Sequence, residues 1–270
     1  MKWSRIVTVA KTDLKQLIQA RDFWLPLMFL GGFFFVIIPG VLLLTVTQIG
    51  SVEVISQVSE TLEVLPETAQ QQIEGQTPQG QTGYALAVFL FAPMAIVVPL
   101  TISTAVGAAT IVGERERGTG EFLAHSPASA TEIYLGKLAA SVLPGYFTVL
   151  IGFGLYSILV NVLVGPDVGG WFFPTTQWWL MILWVLPPFL VLCLSIVLRL
   201  SARVSSTAAA QQASGLVSLP LIGIAYSQAT GSLFGAGYLP WIIGCIAWVV
   251  ALFSLARGVR SVTRSRLLGV

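Results

Sequence analysis

Long apolar runs alternate with polar connections along most of the chain, from residue 23 to residue 256. A helix that crosses the hydrocarbon core of a bilayer needs about 20 predominantly apolar residues. Six stretches reach that length, and none of them contains Asp, Glu or Arg: Phe23–Thr47, Tyr84–Val112, Ile133–Leu163, Gln177–Leu198, Thr207–Ser227 and Tyr238–Ala256. The pattern therefore predicts an all-α membrane protein with six transmembrane helices.

The segment before the first span, residues 1–22, is amphipathic instead of continuously apolar. Its apolar residues recur at helical spacing: Trp3, Ile6, Val7, Ala10, Leu14, Leu17 and Ile18. Arg5, Lys11 and Lys15 fall on other faces of the same helix. We predict a helix along the inner membrane interface, with its bases toward anionic headgroups. Such a helix serves as a membrane anchor alone, or it also contacts a cytosolic partner.

Composition and charge agree with a membrane protein and indicate its orientation. Charged residues make up only 10% of the chain, against roughly a quarter in a soluble domain. All 14 Lys and Arg residues lie in the N-terminal segment, in or beside loop 113–132, in loop 199–206 or in the C-terminal tail. By the positive-inside rule, both termini and those two loops are cytoplasmic in a multi-pass protein.

The predicted organisation is an interfacial helix, residues 1–22, followed by a six-span domain, residues 23–270. The longest predicted outer connection, loop 48–83, is rich in Gln, Glu and Thr. Its apolar positions predict one short amphipathic helix, which ends before Pro66 because proline interrupts a helix. The rest of that loop, as far as Gly83, is expected to be a mobile polar segment.

The connection between the second and third predicted spans, residues 113–132, carries most of the chemical information. It opens with four alternating charges at 114–117, after which Gly118 and Gly120 permit a sharp turn. A short helix around Glu121–His125 is predicted to follow. A loop that only turned the chain would be shorter and less structured.

This short helix presents Phe122 and Leu123 away from lipid, and Pro127 ends it. Ser129 and Glu132 have the spacing of a capping box, which would start the third span. The expected product is a rigid cytosolic hairpin with an apolar knob, a shape that docks helix-in-groove on a soluble partner. The alternative is a solvated run of charges with its caps.

The block from Glu114 to Lys137 resembles the signature of ABC-2 type transporter permeases, which follows the second of six spans in that family. The matching positions are the Glu-Arg-Glu-Arg-Gly-Thr string at 114–119, Glu121, Pro127, Glu132-Ile133 and Gly136-Lys137. Ala124 departs from the pattern, since a second leucine is usual there. The amphipathic helix before the first span and segment 205–220 are similar as well, so the resemblance covers nearly the whole chain.

The resemblance implies the membrane subunit of a prokaryotic ABC exporter, located in the plasma (inner) membrane. The hairpin would be a coupling helix that a separate ABC ATP-binding subunit receives. The residues that this role assigns to partner coupling are Glu114, Arg115, Glu116, Arg117, Gly118, Thr119, Glu121, Phe122, Leu123 and Pro127. Two permease copies, as a homodimer or a related heterodimer, would join two ATP-binding subunits, and ATP and Mg would bind only to those subunits.

The same family commonly lines its substrate pathway with spans two and five. Polar side chains in those predicted spans are therefore candidates for lining it: Thr101, Thr104, Gln211, Gln212, Ser214 and Ser218. From the residues alone, most such groups form hydrogen bonds between packed helices instead. Both interpretations stay open at this point.

The chain has no motif of the form G-x-x-x-x-G-K-[ST], so we expect it to bind no ATP and to be no enzyme by itself. His125 is the only histidine, and Cys193 and Cys245 fall in apolar runs. These residues predict no metal site, no catalytic residue and no bound cofactor. Membrane lipid is an expected partner, and nothing in the charge pattern suggests nucleic acid.

Two other classes of protein are alternatives to the permease. An ATP-independent channel or secondary carrier is disfavoured, because the predicted spans show no inverted repeat and hold no charge except Lys137, one turn into the third. A membrane-embedded enzyme is disfavoured because the spans contain neither an Asp, His and Cys constellation nor a Ser–Lys dyad.

Overall fold

The computed structural model describes residues 2–49, 55, 56, 60, 67–116, 125–201, 212, 223, 226, 227 and 238–261. Every regular element in these residues is helical. An N-terminal helix, α1, spans Trp3–Gln19, and five longer helices are apolar enough to cross a membrane. They are α2 (Met28–Gln48), α3 (Pro78–Thr110), α4 (Ala130–Leu163), α5 (Thr176–Leu200) and α6 (Leu239–Arg260). The all-α class is therefore confirmed for this part of the chain.

The five long helices coincide with the first four predicted spans and with the sixth. The fifth predicted span, Thr207–Ser227, lies outside the described residues apart from four positions. The short helix predicted before Pro66 also lies outside them, apart from Ile55, Ser56 and Glu60, which are helical. Apolar length was thus sufficient to locate each span that the structure describes.

Part of the predicted outer loop, 48–83, is helical, and the prediction of a mobile segment as far as Gly83 was wrong. Helix α3 begins at Pro78. A proline is tolerated at the first helical position because the amides of the first turn have no hydrogen-bond partner within the helix. Thr77 caps this helix, since its hydroxyl accepts a hydrogen bond from the Gly80 amide at 3.0 Å. The Thr-Pro pair was the signal for this earlier start.

The connection between α2 and α3 packs against the connection between α4 and α5 and against the first turn of α5. It contains a four-residue helix, Glu67–Gln70. After that helix, the Gln72 side-chain oxygen accepts a hydrogen bond from the Gln177 side chain at 2.9 Å, and the Gln76 amide donates to the Asp167 carbonyl at 3.4 Å. These contacts order a stretch whose polar composition suggested a free loop.

Three of the spans contain a π-helical turn just ahead of a proline. The turns are Phe33–Ile37 before Pro39 in α2, Leu86–Leu90 before Pro93 in α3, and Met181–Val185 before Pro187 in α5. A proline inside a helix lacks an amide hydrogen and clashes with the carbonyl four residues earlier. In each of these spans that carbonyl belongs to the π turn, whose wider winding accommodates the clash.

The core lies where α3, α4 and α5 pack side by side, with α6 against α5 and α1 against the first turns of α4. Gly145 of α4 is so close to Pro99 and Ser103 of α3 that a Cβ atom there would collide with both. Close approach at small residues is the usual way in which helices associate in membranes, since burial from water gives them no driving force there. This contact holds close together the two helices that the 113–132 connection joins, α3 and α4.

Candidate functional site

The structure describes both ends of the predicted coupling hairpin. The helix of α3 continues past Thr110 as far as Glu116, so that Glu114 and Arg115 are helical as well. The chain is described again from His125, and Pro127 is exposed just before α4. The other predicted coupling residues, Arg117, Gly118, Thr119, Glu121, Phe122 and Leu123, lie outside the described residues.

The start of α4 is built as the sequence predicted. The Ser129 hydroxyl accepts a hydrogen bond from the Glu132 amide at 3.2 Å, and the Ser129 amide donates to the Glu132 carboxylate at 2.9 Å. This capping box satisfies amides that the first helical turn would leave without partners. The helix therefore begins at Ala130, slightly earlier than the predicted Ile133.

The same Glu132 carboxylate also attaches α1 to the end of the hairpin. Its Oε1 accepts a hydrogen bond from the Lys2 amide at 2.6 Å, and its Oε2 lies 3.6 Å from the Arg5 guanidinium. Arg5 also donates to the Pro127 carbonyl at 2.6 Å. We call these four residues, Lys2, Arg5, Pro127 and Glu132, the polar clamp. The amphipathic pattern predicted only that Arg5 faces lipid headgroups, because a pattern cannot show a partner 122 residues away.

A buried ion pair joins α1 to α4 deeper in the molecule. The Lys137 ammonium lies 3.5 Å from the Asp13 carboxylate and donates a hydrogen bond to the Thr110 carbonyl at 2.7 Å. The Lys137 side chain is 0% exposed and that of Asp13 is 8% exposed. The argument that the spans lack buried charge is thus corrected at Lys137, the one charge that they were expected to hold: its side chain is buried, and its partner comes from α1. This contact ties three helices together, since Thr110 lies on α3.

The face of α1 that packs against α4 overlaps only in part with the apolar face that the sequence predicted, sharing Ile6 and Ala10 with it. Ile6, Val9, Ala10 and Asp13 are buried, whereas the strongly apolar Trp3 is 72% exposed. In a membrane protein, large apolar residues can face lipid, while the packed face holds whatever fits the neighbouring helix. Asp13 continues the spacing of Ile6 and Val9, which was the available signal for its burial.

Gly136 sets how closely α1 approaches α4. A Cβ atom at this position would lie 2.7 Å from Val9 Cβ and 3.1 Å from the Ile6 carbonyl oxygen. Neither atom is the end of a flexible side chain, so any larger residue would push the whole of α1 away. The glycine of the Gly136-Lys137 pair therefore has a packing role, and the lysine beside it an electrostatic one.

Gly136→Ala is expected to lower the melting temperature of the purified protein, because it displaces α1 and stretches the Asp13–Lys137 contact. Gly154→Ala is the matched control on the same helix, since a Cβ there meets nothing within 4 Å. Alanine is favoured over glycine in a helix by about 1 kcal/mol, so the control should melt no lower than wild type. Equal melting temperatures for the two variants would contradict the close packing of α1.

Comparison with known families identifies the chain. Residues 7–231 match the family described as ABC-2 family transporter protein. The chain belongs to the ABC-2 transporter family. The match extends from α1 through α5 and the predicted fifth span. No curated protein matches the sequence significantly.

The ABC-2 protein is thus an integral membrane protein and the membrane permease of an ABC transporter. Permeases of this family generally work with separate ABC ATP-binding subunits, and the permease is not itself catalytic. This membership favours the permease over the carrier and the enzyme that were the alternatives. Among the described residues of the permease, no group of three or more His, Cys, Asp or Glu could hold a metal.

The structure describes three of the six candidate pathway residues of the permease. Thr101 and Thr104 lie on α3, and their hydroxyls donate to carbonyls of the same helix, at 2.8 Å each. Gln212 is helical and exposed. The remaining candidates, Gln211, Ser214 and Ser218, lie outside the described residues. The pathway therefore stays a prediction.

Proposed function

We propose that this permease is the membrane half of an ABC exporter, which moves its substrate when a separate subunit hydrolyses ATP. The observation that carries the proposal is the attachment of the hairpin to two helices: Glu132 closes the capping box of α4 and holds the start of α1. A push on the hairpin would therefore reach α1 and α4 together. Such a rigid base is what a coupling element needs if it is to transmit motion instead of bending.

The ten coupling residues of the sequence analysis, Glu114 to Pro127, would contact the ATP-binding subunit. ATP and Mg would bind to that subunit, because the chain has no phosphate-binding loop. One hairpin per permease suggests two permeases and two ATP-binding subunits in a C2 arrangement, or a heterodimer of related permeases.

Two contacts support a sixth crossing between α5 and α6. Near their starts, the Trp184 indole donates to the Trp241 carbonyl at 3.4 Å. Near their ends, Arg199 donates to the Ser254 hydroxyl at 2.8 Å. Helices that meet start to start and end to end run parallel, so the chain that joins them has to return across the bilayer. This geometry supports the predicted span Thr207–Ser227.

Further contacts support a cytoplasmic orientation for one end of the helices. Tyr134, near the start of α4, donates to the Ser195 carbonyl near the end of α5, and Lys137 donates to Thr110 at the end of α3. The basic N-terminal segment, the two basic loops and the basic tail all adjoin this end. By the positive-inside rule it faces the cytoplasm, with both termini, in a prokaryotic inner membrane.

Cysteine labelling tests this orientation. In a variant with Cys193 and Cys245 replaced by alanine, cysteines are introduced one at a time at the exposed positions Gln71 and His125. An impermeant maleimide added to intact cells is expected to label the first and to label the second only after permeabilisation. Labelling at position 125 in intact cells would reverse the proposed topology.

Purification with the native ATP-binding subunit tests the assembly. Native mass measurement is expected to give two permeases with two ATP-binding subunits. ATPase activity is expected only when the ATP-binding subunit is present. A lone permease that is stable and transports substrate without ATP would rule out the proposed function and favour a carrier.

A further inference from the structure

An apolar groove separates α1 from α4 beyond their contact at Gly136. It has a volume of about 940 Å³. Its walls are apolar side chains from three helices: Val7, Leu14 and Ile18 of α1, Leu138 and Val142 of α4, and Val191 of α5. Along α4 the lining extends from Leu135 to Leu143. That distance is about 12 Å at the rise of an α-helix.

Two lysines lie at the edge of this groove. Lys11 and Lys15 line it from α1, one helical turn apart, and both are exposed. Neither makes an ion pair with any carboxylate among the described side chains, where Asp13 and Glu132 are the acids that do pair. The long aliphatic stem of a lysine can follow an apolar wall while its ammonium group reaches the polar surface.

We propose that the groove binds one anionic phospholipid, with an acyl chain between α1 and α4 and the headgroup between Lys11 and Lys15. The proposal rests on the cytoplasmic orientation proposed above, because that leaflet carries the anionic lipids. Charge complementarity selects the headgroup, since two cations adjoin the groove without a carboxylate partner. The apolar walls of the groove favour the acyl chain of the lipid.

The depth of the groove argues against a soluble protein as its occupant. Leu143 lies about 20 Å along α4 from its start at Ala130. Leu143 is therefore only about 5 Å from the midpoint of α4, so a hydrocarbon core about 30 Å thick that is centred on this helix includes the lower wall of the groove. A water-soluble subunit does not reach that depth, whereas an acyl chain does.

Such a lipid would act on the same two helices that the polar clamp and the Asp13–Lys137 pair hold together. A ligand that binds only when α1 is docked stabilises the docked arrangement. The permease would then keep α1 in place most firmly in a membrane rich in anionic lipid. Lys11 and Lys15 of α1 would thus bind the headgroup of one particular lipid instead of a diffuse layer of headgroups.

Native mass spectrometry of the purified permease, titrated with phosphatidylglycerol or with phosphatidylcholine of the same chains, tests the proposal. We expect one tightly retained phosphatidylglycerol, bound on the order of tenfold more tightly than phosphatidylcholine. Lys11→Gln with Lys15→Gln should reduce the affinity to that of phosphatidylcholine. Ala139→Trp, which fills the groove from α4, should weaken both lipids.

Arg257→Gln with Arg260→Gln is the matched control, because it removes two exposed positive charges from α6 and should leave the preference unchanged. Excess inorganic phosphate should not displace the lipid, since the acyl chain of the lipid also contributes to binding. Equal wild-type affinity for both lipids, or an undiminished preference in the lysine variant, would overturn the proposal. Release of the ATP-binding subunit by the lysine variant, with its lipid preference intact, would assign Lys11 and Lys15 to a protein interface. The lipid titration uses the permease alone, so its outcome is independent of whether ATP drives transport; release of the ATP-binding subunit is measured separately, on the purified complex.

Discussion

Replacing Lys137 by methionine will strongly destabilise the permease, because Asp13 then keeps a carboxylate in a buried site without its cation. Removal of one partner from a buried ion pair typically costs about 3–5 kcal/mol. Both side chains are almost fully buried, so water cannot take the place of the missing ammonium. Thermal or denaturant unfolding of the purified permease in detergent measures the effect.

Two further variants distinguish the effect of breaking the ion pair from the effect of losing side-chain packing. Asp13→Leu combined with Lys137→Met removes both charges, and apolar replacement of a whole buried pair is often neutral or stabilising. The double variant should therefore regain most of the stability that the single variant loses. Arg5→Gln is the control at a partly exposed cation: the Arg5 side chain is 37% exposed, and Glu132 keeps the hydrogen bonds from the Lys2 and Ser129 amides, so the loss of stability should be smaller than for Lys137→Met.

The outcome also indicates what the pair contributes to function. If the double variant is stable and transports normally, the pair only holds α1 in place. If it is stable but the ATPase activity of the complex is no longer coupled to transport, the ion pair is needed for α1, α3 and α4 to move together. A Lys137→Met variant as stable as wild type would show that Asp13 is not confined to the buried site.

The sequence predicted elements better than it predicted contacts, and the physical reason differs from case to case. Each described span was found by apolar length, which is a property of the bilayer and needs no knowledge of neighbours. The start of α4 was found because Ser129 and Glu132 form their capping box within one helical turn. The start of α3 at Pro78 was missed because polar residues occupy its first turn, although Thr77 and Pro78 are a local helix-start signal.

The partner of Lys137 could not be predicted, because the contact joins residues 124 positions apart. Hydrophobic periodicity identified the face of α1 with the largest apolar side chains, and in a soluble protein that face would be the buried one. In a bilayer the large apolar residues can face lipid, and the packed face is chosen by fit. Val9 beside Gly136, and Asp13 beside Lys137, are examples of such fit.

Phe122→Ala combined with Glu121→Lys is expected to abolish coupled transport while leaving the permease folded. The pattern of residues 114–127 predicts a short helix between flexible glycines and Pro127, and its Phe122 has no lipid to face. Burying a phenylalanine side chain in a partner's groove is worth about 1.5–3 kcal/mol, which the alanine forfeits. The lysine adds repulsion toward a basic partner group or leaves that group unpaired.

The base of the hairpin explains why folding should survive this change. Arg5 holds the Pro127 carbonyl, and the capping box holds the start of α4, so both contacts lie outside the altered positions. Expression and melting temperature should match wild type, whereas transport is lost and the ATP-binding subunit either hydrolyses ATP without coupling or is released. Transport into vesicles and ATPase activity of the complex measure these effects.

A matched control carries the same chemical changes at the other end of the molecule. Glu67→Lys with Trp171→Ala likewise reverses an acid and truncates an aromatic residue; Glu67 and Trp171 are exposed and lie in the connections on the proposed outer side. This control variant should transport at the wild-type rate. If the Phe122→Ala, Glu121→Lys variant does the same, then the hairpin only turns the chain, and force from the ATP-binding subunit has to enter the permease elsewhere, with α1 as the nearest element attached to α4.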